Sequence, residues 1–389
     1  MNAEVSSVRR EVDSPAPPPM PVPVPVPPDS RVRVLQFGPG LGVRGGISSV
    51  EQLICDYLAP HVSIRHVPTM VEGSVLLRGW TFACAVNALQ RALASTEPAI
   101  FHIHFASRGS AMRKMLLATL VARAGRPLIL HAHGGGFDRF HASLPAALRR
   151  RLNACLQRAN VFITLSQRWR DFYVDTCELS PAQVAVLPNP VRWDPEIPNR
   201  AQRTRVQFLT LGRISAGKGS FDVLKAFAAL PASLRARARL VLAGDGDVEG
   251  ARRMAAPLGD SVQVHAWVDA AERDRLLAAS DVFVLPSYAE GMPMSLLEAM
   301  AAGLPSIVTP VGGIPEVFTH KSEGLFVAPG RVPEITAAMT QMLGDDAERL
   351  AAGRRAHARA RALDVHVYAR RLGDLYQRIA PIADIRGLS

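Results

Sequence analysis

Leu285-Pro286-Ser287-Tyr288-Ala289-Glu290-Gly291-Met292-Pro293-Met294-Ser295-Leu296-Leu297-Glu298-Ala299-Met300-Ala301-Ala302-Gly303 decides how the rest of the chain is read. Before it, Asp281-Val282-Phe283-Val284-Leu285 is a short apolar run of the buried-strand type. Pro293 presets the first turn of a helix carrying Leu296, Leu297 and Met300, and Gly303 ends that helix. Residues 306–309 form the next buried strand, so the unit is strand, loop, helix, strand. Glu290 lies in the loop, and Glu298 follows eight positions later, just over one turn into the helix. The unpartnered N–H groups of a helix start make a seat for a phosphate. A carboxylate accepts hydrogen bonds from paired sugar hydroxyls. Together they suit a sugar joined to a diphosphate.

The same pattern extends outward in both directions. Upstream, 206–211 is a strand, Gly212-Arg213-Ile214-Ser215-Ala216-Gly217-Lys218-Gly219 a loop, and 221–230 a helix. Lys218 is one of only four lysines in an Arg-rich chain, which points to a specific role. Leu240-Val241-Leu242-Ala243-Gly244-Asp245-Gly246 is a strand entering a turn, 262–268 a further strand, and Gly312-Gly313-Ile314-Pro315-Glu316 a closing loop. In the first half, strands at 32–37, 62–67, 100–105 and 128–131 alternate with helices at 47–58, 75–94 and 110–124. Such alternation means a parallel sheet with helices on both faces, whose ligands bind beyond the strands' carboxyl ends.

Two of those ends are rich in histidine: Phe101-His102-Ile103-His104-Phe105, and Leu130-His131-Ala132-His133 opening into Gly134-Gly135-Gly136. A His before three glycines at a strand end is placed to meet a ligand, which favours His133, with His131 as the fallback. After the first strand, Gly40-x-Gly42-x-x-Gly45 fits the dinucleotide fingerprint. That fingerprint needs an acid at the end of the second strand, but 62–67 holds Arg65 and His66, and no acid follows before Glu72. Gly45-Gly46 is better read as a loop whose bare backbone can approach a ligand.

Composition bounds the remaining classes. The chain has 389 residues, enough for two domains, with 48% hydrophobic and 20% charged residues, as in a globular protein. No apolar run reaches the roughly 18 residues of a membrane span. Cys55, Cys84, Cys155 and Cys177 show no metal-ligand spacing and read as reduced, cytosolic residues. The net charge of +11 suits phosphorylated substrates or an anionic membrane surface. No basic repeat interleaved with aromatics supports nucleic acid. The Pro-Val repeat within 15–28 favours an extended, disordered tail and interrupts any signal-peptide core.

The stretch from Glu290 to Ala301, with its Glu-Gly-x-Pro-x-x-Leu-Leu-Glu-Ala-Met-Ala, resembles the donor site of retaining glycosyltransferases of family 4. The resemblance is close over 212–327, looser over 31–191 and absent from the tail. It implies the GT-B fold: α/β, two facing Rossmann-like domains with parallel sheets and a C-terminal helix crossing back to the first domain. The expected division is a tail at 1–30, an acceptor-side domain at 31–191, a linker at 192–205, a nucleotide-sugar domain at 206–364, and the crossover helix and tail at 365–389. By residue-wise match, Arg213 and Lys218 clamp the donor diphosphate, Glu298 holds the ribose and Glu290 the sugar. His133 lies beside the acceptor and the transferred sugar. Gly45, Gly46, Gly244, Gly291 and the amides of Met294, Ser295 and Leu296 complete the donor site, and Gly312 to Glu316 close it. Ala266 replaces the usual Gly, which leaves base contacts there open.

The implied activity is retaining, metal-independent transfer from a nucleotide-diphosphate sugar to a glycan or polyprenyl-linked acceptor, as in bacterial exopolysaccharide synthesis, with no cofactor. No carboxylate for double displacement is identifiable, so front-face attack is favoured, the leaving phosphate taking the acceptor's proton. Alternatives are a nucleotide-sugar epimerase of the same fold, an NAD(P) oxidoreductase, or a non-catalytic nucleotide-sugar binder. A cytoplasmic enzyme peripheral to the membrane is expected. Leu144, Leu148, Leu152, Cys155 and Ala159 form one helical stripe flanked by Arg149, Arg151 and Arg158, arranged to lie on anionic headgroups.

Overall fold

The computed structural model describes residues 32–58, 62–200 and 203–380, so the Pro-rich tail at 1–30 and residues 381–389 lie outside the described residues. The first domain runs β1 (Val32–Pro39), α1 (Gly46–Tyr57), β2 (Val62–Met70), α2 (Val75–Ala94), β3 (Ile100–Phe105) and α3 (Gly109–Arg123). It continues through β4 (Leu128–Ala132), α4 (Phe137–Ser143), α5 (Ala146–Leu156), β5 (Val161–Thr164), α6 (Gln167–Cys177) and β6 (Val184–Val186). The second opens with β7 (Val206–Leu211), α7 (Ser220–Ala228), α8 (Ala232–Arg235), β8 (Ala238–Ala243), α9 (Val248–Ala255) and β9 (Val262–His265). There follow α10 (Ala270–Ala279), β10 (Val282–Leu285), α11 (Met294–Ala301), β11 (Ser306–Val308), α12 (Ile314–Val317) and β12 (Gly324–Phe326). The chain ends in α13 (Val332–Gly344), α14 (Asp346–Ala360) and α15 (Val365–Ile379).

Each domain is built on a six-stranded sheet, ordered β2-β1-β3-β4-β5-β6 in the first and β12-β11-β10-β7-β8-β9 in the second. All pairings are parallel. Every residue of β3, β4 and β5 is buried, which is why these strands are continuous apolar runs and not alternating ones. The strand order reverses between β1 and β3 and again between β10 and β7. A crevice opens at such switch points. The glycine loop after β1 and the histidine end of β3 flank the first; the Arg213–Lys218 loop and the Glu290 loop flank the second.

Helix α15 returns to the first domain. Its Val365, Tyr368, Leu372, Leu375 and Tyr376 share a core with Val34, Ile54, Ile100 and Leu187. The stretch after Val191, expected as the interdomain linker, is pinned to the second domain. Trp193 Nε1 donates to His357 O at 3.0 Å, and Arg200 Nε donates to Ser280 O at 2.7 Å. The C-terminal helical stretch also divides, because Asp345 accepts from Glu348 N at 2.9 Å and so caps a new helix.

One expectation is overturned. The stripe on α5 does not face a membrane: Leu152, Cys155 and Ala159 are buried in the first domain's core, with Leu144 packed against them. Helical period shows that one face is apolar, and here the sheet side of the domain covers that face. No described helix is long and apolar enough to cross a membrane.

Candidate functional site

A cleft of about 920 Å³ lies between the domains. Gly45, Gly46, His133, Arg213, Lys218, Gly244, Glu290, Gly291, Met294, Ser295 and Glu298 all line it, whereas Leu296 does not.

On the second-domain wall, Lys218 ends a short 3-10 turn and its Nζ donates to Glu290 Oε1 at 2.6 Å. The Glu290 loop is held by close backbone approaches from both domains. A Cβ on Gly135 would come within 2.4 Å of Glu290 C, and one on Gly291 within 2.5 Å of His133 O. Only glycine permits that contact, which presses the His133 strand end against the Glu290 loop. Asn189 Nδ2 adds a bond to Met292 O at 2.8 Å.

Helix α11 starts with Pro293 at its cap. The amides of Leu296 and Leu297 both donate to Pro293 O, at 3.2 and 3.3 Å, and the Leu296 side chain is fully buried. The expected phosphate seat therefore narrows to the amides of Met294 and Ser295, because the Leu296 N–H already has its partner. Four residues on, Glu298 Oε1 accepts from Arg273 Nη1 of α10 at 2.8 Å. Burial pushes the Glu298 carboxyl up to about 7, with Arg273 opposing. Arg273 carries no motif, and in sequence it looks like one charge among many on a solvated helix.

Arg213 is largely exposed and stands 3.6 Å from Asp245. Asp245-Gly246-Asp247 has a spacing able to hold a divalent cation, which motif reading passed over. Here Asp247 caps α9, accepting from Gly250 N at 2.8 Å, and Asp245 is turned to Arg213. Each carboxylate already has a partner of its own.

On the first-domain wall, Gly45 adopts φ +144° at the start of α1, a region open to glycine. A Cβ on Gly46 would lie 3.4 Å from Met294 Cγ, so this loop reaches α11 across the cleft. The Arg44 guanidinium sits over the Trp267 ring, 5.7 Å from its centre, making Trp267 a cleft residue that sequence reading missed. Strand β2 runs to Met70, three residues beyond the expected end, which brings Glu72 close behind it. Its carboxylate accepts from Arg44 N at 3.1 Å, which ties it to the glycine loop.

Behind His133 lie three further imidazoles. His104 Nδ1 is 2.8 Å from His133 Nε2, and His102 Nε2 is 3.3 Å from His131 Nδ1. The two pairs are near-coplanar within themselves, at 21° and 6°, and stack on each other at 4.2 and 4.0 Å. Burial holds all four well below the usual imidazole range, His102 and His133 down to about 3. His131, the fallback candidate, is fully buried behind the cleft wall. Nitrogens of His102, His104 and His131 lie within 4.8 Å of one another, but in-plane bonds to neighbours already engage most of them. Stacked rings do not aim their lone pairs at one ion, so the trio does not fit a metal.

Glu316, expected in the donor pocket, docks elsewhere. Its carboxylate accepts from the amides of Gln167 and Arg168 at 2.7 and 2.9 Å, capping α6 of the first domain.

Comparison with known proteins agrees with this geometry. The family described as "Glycosyl transferases group 1" matches residues 193–359, and "Glycosyltransferase Family 4" matches residues 49–194, the two meeting where the domains join. A glycogen synthase of Mycobacterium tuberculosis is 29% identical over 246 residues, covering 60% of this chain and 57% of the relative, which is less than two thirds of its length. The UDP-Gal:alpha-D-GlcNAc-diphosphoundecaprenol alpha-1,3-galactosyltransferase of Escherichia coli is 24% identical over 311 residues, covering 75% of this chain and 78% of the relative. Anabaena Alr3699/HepE, solved with UDP and glucose, has the same fold: TM-score 0.71 at 17% identity, over 89% of this chain and 100% of that one. The chain belongs to glycosyltransferase family 4 and has the GT-B fold.

Proposed function

We propose that the protein is a retaining, metal-independent glycosyltransferase that moves a sugar from a nucleotide diphosphate to a glycan or polyprenyl-linked acceptor. Its place would be bacterial polysaccharide or lipid-linked glycan synthesis. The observation that carries this reading is the Lys218–Glu290 ion pair, 2.6 Å long, set in the cleft beside the start of α11. When a donor enters, its diphosphate would take over Lys218, joined by Arg213 and the amides of Met294 and Ser295. Glu290, released from its cation, would accept from the sugar hydroxyls, and Glu298 from the ribose pair. Fixed cations and a helix start oppose the negative charge that builds on the leaving phosphate, which is the task a metal would otherwise perform. His133 lies on the opposite wall, toward the acceptor. The E. coli relative's name, with its diphosphoundecaprenol-linked acceptor, supports the lipid-linked class.

Thermal-shift screening against UDP-, GDP- and ADP-sugars identifies the donor. NMR of the product's anomeric proton then tests the reaction, with the donor's configuration expected to be kept and chelator to have no effect. An inverted product, or loss of turnover with chelator, contradicts the mechanism. Binding without transfer to any acceptor would leave a nucleotide-sugar sensor.

The same reading places the enzyme at the cytoplasmic face of an anionic membrane, but by a different surface from α5. Val75, Leu76 and Trp80 at the start of α2 are 79%, 85% and 69% exposed, and Met112 and Leu116 of neighbouring α3 are exposed too. Arg78, Arg108 and Arg113 stand exposed among them. Both helices begin at the cleft edge of the sheet, where a lipid-linked acceptor would enter. Sedimentation with anionic vesicles at low salt should pellet wild type and leave Leu76→Gln/Trp80→Gln in solution. Equal pelleting of the two proteins contradicts this surface.

A further inference from the structure

Nothing in the proposed transfer uses the imidazoles behind the cleft wall. His102 and His104 lie on β3, His131 on β4 and His133 just past the end of β4, with His104 in register with His131. We propose that His104 is a positioning residue: it fixes the tautomer of His133, so that His133 presents a neutral N–H on Nδ1 to the cleft.

The tautomer follows from satisfying each ring in turn. A neutral imidazole carries one N–H and one bare nitrogen. His104 is fully buried and its Nε2 meets no partner. An N–H buried without an acceptor is costlier than a bare lone pair in the same place. His104 therefore keeps its proton on Nδ1 and donates it to His133 Nε2, 2.8 Å away. Glu51 Oε1 lies 3.9 Å from the same nitrogen, too far to compete. His133, accepting at Nε2, must carry its own proton on Nδ1, the nitrogen left for the cleft it lines. The second pair obeys the same rule. His131 Nε2 has no partner, so its Nδ1–H goes to His102 Nε2, and His102 Nδ1–H to Tyr376 Oη at 2.7 Å.

Imidazole left to itself prefers its proton on Nε2, so His104 holds His133 in the less common form. Two consequences follow. His133 donates to an oxygen of the bound sugar or acceptor. It has no bare nitrogen facing the cleft, so it does not take the acceptor's proton, which is left to the departing phosphate.

The tautomer does not depend on the transferase reading; only the kinetic consequence does. The full chain labelled with 15N-histidine gives long-range 1H–15N correlations for its eleven histidines. His133→Gln and His104→Gln identify the two signals by their loss. Wild-type His133 should show a protonated Nδ1 and a bare Nε2. His104→Leu should shift His133 toward the Nε2–H form and lower kcat about tenfold, the scale of one hydrogen bond, with donor KM within about twofold. His104→Gln, whose amide still donates, should restore both tautomer and rate. A wild-type His133 protonated on Nε2, or an unchanged tautomer in His104→Leu, overturns the proposal. If His104→Leu fails to fold, the wild-type spectrum alone decides. If no sugar nucleotide is turned over, the spectra still decide, and only the transferase reading fails.

Discussion

Glu290 and Glu298 each face a cation, Lys218 at 2.6 Å and Arg273 at 2.8 Å, whereas His133 across the cleft faces only another imidazole at 2.8 Å. The two carboxylates on the second-domain wall keep their charges by pairing them, whereas the imidazoles at the His133 strand end stay neutral. Burying an unpaired charge is expensive, so each carboxylate needs a counter-ion until a ligand arrives. A diphosphate can then exchange with a carboxylate for the same cation. The imidazole wall has nothing to exchange, and a neutral donor there suits hydroxyls, not phosphates. The paired carboxylates would thus mark where the leaving group sits, and the neutral imidazole where the acceptor sits.

Removing a charge from the first of these walls should have the largest effect. Lys218→Ala is expected to lower turnover about a hundredfold or more, with donor affinity falling less. Turnover within threefold of wild type would take Lys218 out of the mechanism. Because Glu290 would be stranded, Lys218→Ala/Glu290→Gln should lose less than the product of the single losses. Titrating the second pair comes next. Glu298 is charged above about pH 7 and protonated below it. Its hold on ribose hydroxyls should therefore weaken as pH falls, by about tenfold in nucleoside diphosphate affinity from pH 8 to 6. Calorimetry across that range checks this, with Glu298→Gln removing the enzyme's share of the pH dependence. Arg273→Ala should move the midpoint to higher pH, since the opposing cation is gone. The smallest effect belongs to the Glu316 contact between the two domains. Glu316→Gln weakens the cap on α6 and should lower the unfolding free energy by about 1 kcal/mol while leaving nucleotide binding intact.

The same contrast governs what could be read without coordinates. The β10–α11 unit was legible because its signals are local: an apolar run, a proline, a glycine and two carboxylates inside one supersecondary unit. The parallel sheets followed from the alternation of strands and helices, and the crossing back of α15 from the family resemblance alone. Partners remote in sequence were not legible. Arg273 lies 25 residues from Glu298, and His104 lies 29 from His133, so only strand register and helix packing bring them together. Spacing could place three amides at the start of α11 but not show that Pro293 O already claims that of Leu296. The α5 stripe failed for a related reason. Amphipathicity says that a face will be covered, and the core to which Phe137, Trp169 and their neighbours belong is what covers it.

Calorimetry with the free nucleoside diphosphate tests the division of labour on the charged wall most directly. The diphosphate selected by thermal shift carries the ribose that Glu298 would hold and lacks the sugar that Glu290 would hold. Glu298→Gln should weaken its binding by about tenfold, the scale of a charged hydrogen bond. Glu290→Gln should not weaken that affinity, because it frees Lys218 for the diphosphate, while abolishing most transfer. Equal losses of nucleotide affinity in the two proteins would contradict the assignment of one carboxylate to the ribose and the other to the transferred sugar.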